Sequence, residues 1–275
     1  MNPHLHIAFI GGGNMAAALA AGMADRILPA GNIHVVEINA AAHAAWQARG
    51  ASVSATPDDV LAQADIWIFA VKPQAMREVV AACKPWLRDK TLAVSIAAGV
   101  RSDTLAEWLG ETGAPWSRLV RCMPNTPALV GAGATGLAAL PGVSAADRDQ
   151  VAAIMGAVGT TVWVDDDAGL DAVTAVSGSG PAYVFLFIEA LIAGGVKVGL
   201  TADQARELAL ATLAGATRLA TESDETPATL RERVTSKGGT TAAALAAFDK
   251  ADFTGIVATA VAAAAERSRE LAAGA

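Results

Sequence analysis

Six residues late in the chain, Ser236-Lys237-Gly238-Gly239-Thr240-Thr241, have the makings of a small anion site. Two glycines and two threonines just ahead of the apolar run Ala242 to Phe248 leave backbone N–H groups bare at a helix start, with hydroxyls beside them. The dipole of such a helix favours a carboxylate or phosphate, and nothing in the segment supplies a strong acid or base. Read alone, the hexapeptide is more readily an ordinary capped helix start. A second glycine cluster lies at the opposite end. Gly11-Gly12-Gly13-Asn14-Met15-Ala16 follows the strand-like run Leu5 to Ile10 and precedes helical spacing over Ala17 to Ile27. Strand, glycine turn and helix with the pattern Gly11-x-Gly13-x-x-Ala16 permit a tight turn, a close backbone approach to a pyrophosphate and close helix packing, which is the chemistry of dinucleotide binding. Glu37 ends the next strand-like run, Ile33 to Glu37, where an acid accepts from ribose hydroxyls and repels a 2′-phosphate. No arginine follows until Arg49, which favours NADH, while the Asn39 side chain or a cation from elsewhere would still accommodate NADPH.

The elements that must hold these groups alternate. Ile66 to Val71 is a continuous apolar run of the kind buried in a parallel sheet, and Ala70-Val71-Lys72-Pro73 marks its end. A lysine just before a helix is poorly placed for the helix dipole, and an anion nearby would explain it. The run Thr91 to Ile96 stops at Ala97-Ala98-Gly99, small enough for a flat ring to lie close, and Arg118 to Cys122 stops at the stiff turn Met123-Pro124-Asn125-Thr126-Pro127. All of these fall at carboxyl ends of strands, where open α/β sheets bind ligands. After Thr160 to Val164 the pattern becomes helical throughout: Ala168 to Ser177, Pro181 to Val198, Thr201 to Thr221, Pro227 to Thr235, Thr241 to Lys250 and Asp252 to Ala273, with Ser177-Gly178-Ser179-Gly180-Pro181 breaking the first pair. Asp165-Asp166-Asp167 reads as an acidic helix start rather than a metal cluster, so no metal is expected. The expected fold is α/β, with a dinucleotide-binding domain over residues 1–165 and an all-helical domain over 166–275.

Composition narrows the partners. The 275 residues, 53% hydrophobic and 17% charged, suffice for two cored domains, and a net charge of −7 argues against nucleic acid or an anionic membrane. Cys83 and Cys122 are too few for a disulfide framework and read as buried small hydrophobes, which fits a cytoplasmic protein. Met1-Asn2-Pro3-His4 runs straight into a strand with no basic leader. The apolar segment Ala182 to Val196 carries Glu189 and, being short of a membrane span, reads as a core or interface helix. The four histidines, His4, His6, His34 and His43, all precede residue 44, so no histidine acid or base comes from the second half. With so many alanines the helical half has a thin core, and a second chain is expected to complete it.

Taken together, Gly11-Gly12-Gly13-Asn14-Met15, Ala70-Val71-Lys72-Pro73, Ser95-Ile96-Ala97-Ala98-Gly99, Met123-Pro124-Asn125-Thr126-Pro127, Ser177-Gly178-Ser179-Gly180-Pro181-Ala182-Tyr183 and the late hexapeptide make the chain resemble pyrroline-5-carboxylate reductases along essentially its whole length. The resemblance implies reduction of the cyclic imine 1-pyrroline-5-carboxylate to L-proline by NADPH or NADH, the last step of proline synthesis. It implies that Gly11, Gly12, Gly13, Asn14 and Met15 hold the pyrophosphate, and that Ala70, Val71, Lys72, Pro73, Ala97, Ala98 and Gly99 line the nicotinamide side. It further implies that Ser236, Gly238, Gly239, Thr240 and Thr241 bind the substrate, with amides around Gly239 and Thr240 on its carboxylate. Thr241 and Lys72 are the catalytic candidates, Thr241 through a hydrogen bond to the ring nitrogen. Association through the helical domain into a homodimer or larger ring follows from the same resemblance. The segment Glu37 to Ala41 departs from relatives that carry a small polar residue and an arginine there. Two rivals share parts of this pattern: a hydroxyacid or ketol-acid reductase of like architecture, and an idle nucleotide sensor, against which the intact Gly238-Gly239-Thr240-Thr241 loop speaks.

Overall fold

A computed structural model describes residues 3–273; Met1 and Asn2 of the opening segment, and Gly274 and Ala275, lie outside the described residues. Eight strands form one sheet: β1 (Ile7–Ile10), β2 (Ile33–Val36), β3 (Ser52–Ser54), β4 (Ile66–Phe69), β5 (Leu92–Ser95), β6 (Leu119–Met123), β7 (Gly133–Ala139) and β8 (Gly159–Trp163). Six helices interleave with them or follow: α1 (Asn14–Met23), α2 (Ala40–Gln47), α3 (Pro73–Cys83), α4 (Ser102–Leu109), α5 (Ala145–Gly156) and α6 (Asp167–Val173). The remaining helices are α7 (Gly180–Lys197), α8 (Ala202–Glu222), α9 (Pro227–Arg233), α10 (Thr240–Lys250) and α11 (Phe253–Ala273).

The strand order is β3-β2-β1-β4-β5-β6-β7-β8, parallel except where β7 runs antiparallel to β6. The chain steps outward in both directions from β1, and this reversal between β1 and β4 opens a crevice at their carboxyl ends. Continuous apolar strands follow from cores on both faces. Ile7 and Phe9 of β1 pack with Leu19 of α1, Trp46 of α2 and Ile154 of α5, whereas Ala8 and Ile10 pack with Met76 and Val80 of α3 and Leu105 of α4. Both free cysteines are buried, and burial pushes the Cys83 thiol up to about 12.

Compact packing groups Met1–Ser179 with Ala263–Ala275 and sets Gly180–Ala262 apart as a second unit. Val173 of α6 lies directly on Gly136 of β7, and Ser268 of α11 donates to the buried Asp171 of α6 at 2.5 Å. The expected break at Ser177 to Pro181 is a single widened π turn over Thr174–Gly178, closed by Ser179 N–H donating to Thr174 O at 2.8 Å. As a result Asp167–Lys197 is long and apolar enough to cross a membrane by length and composition, longer than the segment expected from sequence. Of the two expectations for α7, core or interface helix, the single chain does not make it a core helix: none of its residues is buried, and Phe185 and Leu186 are 58% and 67% exposed.

Within the second unit, α8 starts at a Thr201/Gln204 capping box, and Gly195 of α7 lets Ala205 of α8 come close. Among the described residues of this unit only Ala205 and Ala209 are buried. A cluster of Phe187, Phe248 and Phe253 ties α7, α10 and the start of α11 together.

Candidate active site

The glycine turn lies where β1 delivers the chain to α1. Gly11 N–H donates to Val36 O at 2.9 Å, and its φ of +100° is a conformation that side chains resist. A Cβ there would also stand 2.8 Å from Ala70 O, so the crossing of the β1 and β4 ends excludes every other residue. At the extended N-cap Gly13 a Cβ would meet nothing within 4 Å. No side chain caps α1, so the amides of Asn14 and Met15 open into that space. Bare amides, a helix start and an open cradle over Gly13 fit the pyrophosphate of a dinucleotide.

Glu37 follows β2 directly and turns back onto this loop. Gly12 N–H donates to its Oε2 at 2.7 Å and Asn39 N–H to its Oε1 at 2.7 Å. The Trp46 indole N–H donates to Gly12 O at 3.2 Å, and His43 Nε2 lies 2.6 Å from Glu37 O, a contact in which the ring nitrogen must be the donor. The sequence places the acid at the strand end; it gives no sign that one carboxylate oxygen is bound to the glycine turn itself.

The ends of β4 and β5 complete this edge. Ala70 N–H donates to Ile10 O at 2.8 Å and Ile96 N–H to Phe69 O at 3.0 Å, which brings Ala70 and Val71 beside Gly11 and the end of β5 beside that of β4. Lys72 is the N-cap residue of α3, Pro73 is its first residue, and the exposed Lys72 ammonium has no acceptor among the described residues. Ala97 is buried, Ala98 is exposed and Gly99 has Leu271 of α11 as its neighbour. The first-half candidates therefore share one sheet edge. Asn125 serves the framework instead, since its Nδ2 donates to Ser177 O at 3.0 Å and its Oδ1 accepts from Ala134 N–H at 2.9 Å.

The three aspartates divide their roles. Asp166 caps α6 by accepting from Gly169 N–H at 3.0 Å, as expected of an acidic helix start. Asp167 points inward, 5% exposed, and accepts from Ser102 N–H at 2.9 Å, Ser102 Oγ–H at 2.6 Å and Arg121 Nη1 at 2.6 Å. Burial opposes its ionisation, but the Ser102 hydroxyl and the Arg121 guanidinium outweigh it and hold the carboxyl below its usual range. No group of three or more acidic, cysteine or histidine residues among the described residues could hold a metal.

In the second unit, the late hexapeptide forms a turn at the start of α10. Gly238 takes φ +72°, and Gly239 N–H donates to Ser236 O at 3.0 Å. Gly239 is the N-cap of α10 with no side-chain cap, so the bare amides are those of Thr240 and Thr241 rather than that of Gly239. The hydroxyls of Ser236, Thr240 and Thr241 make no hydrogen bond among the described residues. Tyr183 of α7 stands out in the sequence only as part of a motif, yet its buried hydroxyl finds no partner there either. As the chain's single tyrosine, set in an apolar helix, it carries a signal that periodicity does not weigh.

Comparison with known proteins agrees with this geometry. Residues 167–271 match the family model for pyrroline-5-carboxylate reductase dimerisation, and residues 6–99 match that for NADP oxidoreductase, coenzyme F420-dependent. The chain is 46% identical to a pyrroline-5-carboxylate reductase of Pseudomonas aeruginosa, covering 97% of this chain and 96% of that one. It is 41% identical to the Pisum sativum protein of the same name, over 96% and 95%. The crystal structure of the Plasmodium falciparum pyrroline carboxylate reductase with NADP bound superposes with a TM-score of 0.83 at 31% identity, over 98% of this chain and all of that one. A shared sheet edge, a donor loop and likeness along nearly the whole length lead to one statement: the chain belongs to the pyrroline-5-carboxylate reductase family.

Proposed function

We infer that this chain reduces the C=N bond of 1-pyrroline-5-carboxylate with NAD(P)H to give L-proline, the last step of proline biosynthesis. The observation that carries the reading is the family's full-length likeness to a chain whose two donor-rich turns remain unsatisfied by the protein. When bound, the reduced nicotinamide supplies the hydride. Gly13, Asn14 and Met15 hold the pyrophosphate, and Ala70 to Pro73 with Ala97 to Gly99 shape the nicotinamide side. Lys72 serves there as a catalytic cation, balancing anionic groups brought into the edge. The amides of Thr240 and Thr241 hold the substrate carboxylate, with Ser236, Gly238 and Gly239 shaping the turn that presents them. The Thr241 hydroxyl hydrogen-bonds the ring nitrogen. An iminium arrives already protonated, so the work left to the protein is positioning rather than strong acid catalysis.

The same reading makes the protein a cytoplasmic homodimer or larger homo-oligomer acting on a small molecule, without nucleic acid or membrane as partner. The uncovered apolar side chains of α7 are what a second copy would cover. The test is nicotinamide absorbance followed with the imine and each coenzyme. Coenzyme consumption matched by proline formation is expected, and no consumption with either coenzyme overturns the reading.

A further inference from the structure

We propose that Glu37 makes the coenzyme pocket selective for NADH over NADPH, because its carboxylate is anchored where a 2′-phosphate would have to bind and no cation stands beside it to receive that charge. The inference rests on the dinucleotide reading of the glycine turn. An acid at the end of the second strand of such a sheet faces the adenosine ribose. Here the acid is doubly anchored, by Gly12 N–H on one oxygen and Asn39 N–H on the other, both at 2.7 Å. A carboxylate offers about four lone-pair sites. With two used, one on each oxygen remains for a pair of ribose hydroxyls.

A 2′-phosphate meets the opposite situation. It brings a charge of about −1.5 to −2 toward a fixed carboxylate. Most donors that could receive it are engaged: Gly12 and Asn39 N–H by Glu37, Ala41 N–H by Asn39 Oδ1 at 3.2 Å, and one His43 ring nitrogen by Glu37 O, which leaves only neutral groups such as the Asn39 amide nitrogen. The residues that follow, Ala40, Ala41 and Ala42, bring no cation. The next guanidinium along the chain, Arg49, lies over the Trp46 ring at 5.3 Å, and Trp46 in turn holds Gly12. Glu37 cannot simply swing aside, because leaving the turn strips Gly12 and Asn39 of their acceptor. This chain thus parts from its Plasmodium relative, whose structure has NADP bound.

Coenzyme binding to the intact oligomer, measured by calorimetry without imine, tests this separately from turnover. NADH binding at least tenfold tighter than NADPH is expected. Glu37→Ser should shrink that ratio at least tenfold, chiefly by tightening NADPH, and Glu37→Gln, which keeps the length and one acceptor but removes the charge, should shrink it in the same direction. Equal or tighter NADPH binding by the wild type, or an unchanged ratio in a folded Glu37→Gln protein, overturns the proposal. NADH preference with no imine reduction would instead overturn the proposed reaction and leave this assignment standing.

Discussion

At the scale of single residues, the chain separates groups that do chemistry from groups that hold them. In the proposed reaction Thr241 is of the first kind, its hydroxyl being unspent at the opening of α10. Thr241→Ala removes one hydrogen bond to the charged iminium nitrogen, so kcat should fall about tenfold to a hundredfold while coenzyme affinity stays as it was. Steady-state kinetics beside a coenzyme titration reads both. Arg121 belongs to the second kind: 3% exposed, it neutralises Asp167 deep under the sheet edge. Arg121→Leu strands a buried carboxylate and should cost about 3–5 kcal/mol, seen as a large drop in melting temperature. The pair also sets an acid limit. The unfolded carboxyl titrates near about 3.9, and the folded one lies lower. Asp167 therefore stabilises the fold above that pH, and the contribution is lost as pH falls through the lower, folded value. Acid unfolding followed by circular dichroism should show a shallower pH dependence below about pH 4 in Asp167→Asn than in the wild type.

Among elements, legibility followed the strength of the local signal. The strands β1, β2, β4 and β5 stood out because burial on both faces keeps them largely apolar, and the candidate residues of the first half could be grouped because they sit at the ends of those runs. β7 was not readable. Its sequence Gly-Ala-Thr-Gly-Leu-Ala-Ala has weak strand preference, and pairing with β6 and β8 overrides it. Its glycines serve packing, since a Cβ at Gly136 would come within 2.6 Å of Val173. The edge strand β3, three residues long, lacks a pattern to detect. The anchored state of Glu37 was equally hidden, because its partners are backbone amides that every sequence possesses. The turn before α10 depends on Gly238 at φ +72°. Gly238→Val should distort it, raising the KM for the imine at least tenfold with little change in coenzyme binding, at a stability cost of about 1–2 kcal/mol. Parallel kinetics and thermal melts of this variant check both parts.

For the whole molecule, the second unit has too little interior to stand alone: Ala205 and Ala209 are its buried residues among those described, while Phe185 and Leu186 face outward. Sedimentation should therefore find a dimer or larger assembly, and Phe185→Glu with Leu186→Glu should shift it to monomers of low activity. The closing turns of α11 carry a different consequence. Ser268 and Ala272 are buried with the sheet unit, and Asp171 accepts its hydroxyl partner from there. During translation the coenzyme-binding half consequently cannot finish folding when its own strands emerge from the ribosome. It must wait for residues made nearly a hundred positions later, and a nascent chain cut short before Ser268 leaves Asp171 without that donor and the sheet unit without its last packed turns, so it should be cleaved faster by proteases than the full chain.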